Sequence, residues 1–120
     1  MTHHGEALAR ESGDASLTEA VASGRFEGLD ARMRALCTYA VRLTHAPAAV
    51  READLVPLRA AELDDRAIVD ANQVVAYFNY VNRIAHGLGV EMESSWPEAQ
   101  RTLRQYAFAG DAGGFPAVEA

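Results

Sequence analysis

Two adjacent histidines, His3 and His4, stand at the start of the first helical stretch. An imidazole titrates near pH 6.5, roughly, so either could relay a proton at neutral pH. On the residues alone, His4 reads equally as a solvated side chain on a first turn. Neighbouring helical positions diverge, so His3 and His4 do not readily share a metal. The single cysteine, Cys37, lies with Leu36, Ala40 and Val41 on one apolar stripe. A thiol so placed packs as a small hydrophobe, and burial raises its pKa.

Asn79 and Asn82 interrupt an otherwise greasy stretch, with Tyr77 and Tyr80 beside them. Buried amides and phenols need partners, so these residues either line a polar pocket or bond across a helical interface. Arg83 is expected to pair with an acidic residue of a neighbouring helix. His86, in a last turn, suits the negative end of a helix. Asp64 and Asp65 suit a helix start for the opposite reason, and with Asp70 they read as caps and solvated charges, not an acid–base pair. Gly110, Gly113 and Gly114 follow no strand, so they do not form a phosphate loop.

Helices must position all of these groups. Alanine is abundant and β-branched runs are rare, which favours helix over strand. Residues 4–11 read as a helix stopped by Gly13. Ser16-Leu-Thr-Glu19 reads as a capping box for a helix to about Ser23, closed by Gly24. Asp30 caps a helix from Ala31 to about Thr44, whose apolar stripe is Met33, Leu36, Cys37, Ala40, Val41 and Thr44. A segment over 52–61 contains Pro57, which either kinks it or falls in its first turn. Asp64 caps the main helix, 65–86, with Gly87 as its left-handed stop. Its core face is expected to be Ile68, Ala71, Val75, Phe78 and Ala85. From Val74 to Val81 it is apolar on nearly every side, so it needs cover on every side. Trp96 to about Phe108 reads as a last helix, and the residues beyond it as a frayed tail.

The chain has 120 residues, enough for one domain with a real core. A net charge of −6 and no basic stripe argue against nucleic acid. No apolar run approaches the roughly 18 residues of a membrane span. No apolar signal core opens the chain, and one cysteine excludes an intrachain disulfide; a reducing cytoplasm is the expected location.

Three segments carry a family resemblance: His3-His-Gly-Glu-Ala-Leu8, Leu63-Asp-Asp-Arg-Ala-Ile-Val-Asp-Ala71, and the stretch from Val75 through Tyr77-Phe-Asn-Tyr-Val-Asn-Arg83 to Val90. Together they resemble the alkylhydroperoxidase D-like, carboxymuconolactone decarboxylase superfamily, nearest its peroxidase-related branch. The likeness spans roughly residues 2–93 as a partial core; residues 94–120 form a separate C-terminal helix and tail. It implies an all-α bundle of five or six helices lacking the N-terminal part of the family fold. In that family a helix opens with Cys-x-x-Cys-x-x-x-His, whose histidine falls here on His4 and whose second cysteine would directly precede Met1. Such a helix N-terminus stabilises a thiolate, the second thiol resolves the oxidised first one, and the histidine relays protons with an upstream glutamate.

Both thiols and that glutamate are missing from these residues. The expected activity is therefore that of a peroxidase-related protein, resembling thiol-dependent hydroperoxide reductases of antioxidant defence, inactive in this form. His4 is the catalytic candidate, and His3, Asn79 and Asn82 are candidate pocket residues. No cofactor or metal is expected. A homo-oligomer is, with a small hydroperoxide and a thiol reductant as possible ligands. A start upstream of Met1, or a genuine loss of thiol chemistry, would each explain the pattern. Two alternatives stay open: a carboxymuconolactone decarboxylase-like enzyme using a basic residue such as Arg83, and a non-catalytic helical oligomerisation module. Glu62 departs from the family, standing where relatives favour glycine.

Overall fold

The computed structural model describes residues 2–91 and 93–95, with the backbone alone for residues 2–6. They fold into five α-helices and two short 3₁₀ turns, with no strand among them. The helix expected from Trp96 lies outside the described residues.

Helix α1 (Thr2–Ser12) and α2 (Ala15–Ser23) pack chiefly on each other across a two-residue connection. Gly13 stops α1 in the left-handed region at φ 67°, its N–H reaching the Ala9 carbonyl. The cap of α2 is Asp14, not the expected Ser16. Asp14 Oδ1 accepts from the Ser16 N–H at 2.9 Å, the Leu17 N–H at 3.4 Å and the Ser16 hydroxyl at 2.6 Å. A carboxylate outcompetes a hydroxyl for the orphan amides, because the bond is charge-assisted. Gly24 closes α2 at φ 70°.

Asp30 caps α3 (Ala31–His45) through the Met33 N–H, as expected. Pro47–Ala49 and Glu52–Leu55 are 3₁₀ turns, tied to α3 where the Arg42 guanidinium donates to the Ala49 carbonyl. Helix α4 (Val56–Ala60) follows, with Pro57 in its first turn, where a missing N–H costs nothing. Asp64 then caps α5 (Asp65–Gly87), a 23-residue helix of roughly 34 Å. Its left-handed stop is Gly89 at φ 66°, two residues later than expected. The Gly89 N–H reaches the His86 carbonyl and the Val90 N–H the Ala85 carbonyl, which satisfies two orphan acceptors.

The core lies where α3, α4 and the start of α5 meet. Leu58 is fully buried, and Leu63, Ile68, Ala35 and Tyr39 close round it. This corrects two expected faces. On α3 the deepest residues are Ala35 and Tyr39, while Met33, Cys37, Ala40, Val41 and Thr44 stay half-buried. On α5 Ile68 is buried and Ala71, Val75 and Ala85 are half-buried, but Phe78 is exposed.

The polar seam between α3 and α5

His3 and His4 lie on α1; their side chains lie outside the described residues. The described polar residues converge elsewhere, between α3 and α5. The Asn72 amide donates to the Tyr39 hydroxyl at 2.7 Å. Five residues further along α3, Thr44 Oγ1 lies 2.7 Å from the Ala40 carbonyl and 3.1 Å from the Asn79 side-chain amide. One hydroxyl hydrogen cannot serve both. The Thr44 hydroxyl donates to the Ala40 carbonyl or to Asn79 Oδ1, one at a time. Arg83 donates to the Thr44 carbonyl and to the Asn79 carbonyl, each at 3.2 Å. Contacts that climb together from Tyr39 to Thr44 and from Asn72 to Arg83 show the two helices running side by side in one direction.

The seam follows from the sequence of α5. Asn72, Val75, Asn79 and Asn82 recur at spacings of three and four, which keeps them on one face. Asn82, expected beside Asn79, is half-buried there. Among the described residues Arg83 does not meet the acidic side chain that its charge led us to expect. Its guanidinium instead spans the carbonyl end of α3, where a cation is favoured by the helix dipole. Tyr39, Thr44 and Asn72 were not anticipated as seam partners. The seven-residue interval from Asn72 to Asn79 was the available signal.

The remaining candidates have structural surroundings. Cys37 is half-buried, and desolvation pushes its thiol above the ordinary range. Asp64 is spent on the Ala67 N–H and Asp65 on the Arg59 guanidinium. Asp70 borders an open cleft with Gln73, Val74, Tyr77 and Phe78. His86 is exposed in the last turn of α5. Among the described residues no three metal-ligating side chains gather.

No family model matches this chain, and no curated protein matches it. The described residues thus stand on their own geometry. The seam's polar groups bond to one another or to backbone carbonyls, an arrangement that fixes two helices in register. No helix among the described residues is long and apolar enough to cross a membrane.

Proposed function

We propose that the chain is a peroxidase-related protein of the alkylhydroperoxidase D-like kind, carrying the proton-relay histidine His4 without the cysteine pair. One observation carries the reading furthest. Glu62 holds a left-handed backbone, φ 61°, at the position where relatives favour glycine. Glycine is the residue such a turn selects, since it alone lacks the Cβ penalty. The all-α architecture, the helix under His4 and the continuous helix through Val75–Gly87 are also consistent with it.

In that chemistry a thiolate attacks the hydroperoxide and breaks the O–O bond. The attacking sulfur becomes a sulfenic acid as the alkoxide departs and takes a proton; the second thiol displaces the sulfenic hydroxyl as water to close a disulfide, and an external dithiol reduces it. His4 would pass the proton. The 120-residue chain has neither thiol of the pair, so no cysteine-dependent turnover is expected from it. The test adds residues rather than removing them. An extension ending in Cys-x-x-Cys directly before Met1, with a glutamate upstream, should consume hydroperoxide in the presence of dithiol, and His4→Ala should abolish this. An extended chain that stays inert, or an unextended chain whose turnover survives Cys37→Ser, overturns the reading.

A homo-oligomer belongs to the same proposal, and so does a second, non-catalytic reading as an assembly module. Both draw support from α5, which leaves Tyr77, Tyr80 and Leu88 exposed at 61%, 65% and 76%. An apolar surface of this extent marks an interaction site. A defined oligomer together with an inert extended chain would favour the module. The decarboxylase alternative gains nothing from Arg83, which is already committed to the Thr44 and Asn79 carbonyls.

A further inference from the structure

We draw no further inference here: the strongest candidate, the open cleft on the outer face of α5 lined by Asp70, Gln73, Val74, Tyr77 and Phe78, belongs to the exposed surface already proposed for self-association, and nothing in the structure shows what covers it.

Discussion

Glu62 shows how one residue can work against its own backbone. The end of α4 is closed by the Leu63 N–H on the Leu58 carbonyl and the Glu62 N–H on the Arg59 carbonyl, which forces Glu62 to φ 61°. A side chain in that region costs about 1–2 kcal/mol. Glycine relieves this but loses more entropy on folding, about 0.5–1 kcal/mol. Glu62→Gly should therefore raise stability by about 0.5–1 kcal/mol, read as a higher urea midpoint with unchanged slope. Asp14 makes a pH-dependent contribution of defined sign. The Ser16 hydroxyl and the Ser16 and Leu17 amides hold its carboxyl below the usual 3.8. Its capping is thus fully present above that value and is lost as pH falls through the lowered one. Helicity of α2 should fall over that acid range, and Asp14→Ala should remove the dependence. Cys37 moves the other way: desolvation raises its pKa above 9.0, so alkylation at neutral pH should be slower than for a free thiol.

At the scale of elements, caps were the most legible part of the sequence. Asp30, Asp64, Gly13 and Gly24 act where their side chains, or lack of one, demand. Local chemistry decides caps, and local chemistry is what a sequence displays. The burial faces of α3 were misjudged because both sides of that helix are apolar enough to pack, and only the position of Leu58 selects Ala35 and Tyr39. The candidate site was legible only in part. Asn79 and Asn82 were marked by polarity within an apolar stretch. Tyr39 and Asn72, 33 residues apart, meet only once the fold brings them together. That bond has a testable value. Asn72→Ala leaves the buried Tyr39 hydroxyl without its donor and should cost about 1–3 kcal/mol. Tyr39→Phe should cost less, and Tyr39→Phe should reduce the effect of Asn72→Ala in a double-mutant cycle, measured by chemical denaturation.

The whole molecule divides its stability unevenly. Among the described side chains, every residue of the central cluster comes from α3, α4, α5 or the turns between α4 and α5; none is from α1, and α2 has no buried residue. The described apolar side chains of α1 and α2 are at most half-buried, so the pair is expected to open at little cost in free energy. Removing the Leu58 side chain acts on the other unit. It is 0% exposed, and Leu58→Ala should cost about 2–5 kcal/mol through lost burial plus a cavity. Amide hydrogen exchange distinguishes the two units directly. Amides of α3 and the first half of α5 should exchange at the rate of global unfolding, and Leu58→Ala should accelerate them together. Amides of α1 and α2 should exchange earlier and be insensitive to Leu58→Ala, because they open without disrupting the core. If α1 and α2 were instead as protected as α5, and lost that protection in Leu58→Ala, the helix carrying His4 would be part of one cooperative unit. A rigid platform for the proposed relay histidine would then exist in the 120-residue chain. The expected result is the opposite: a helix under His4 that opens on its own, so that the proposed proton relay would need further contacts to hold the imidazole in place.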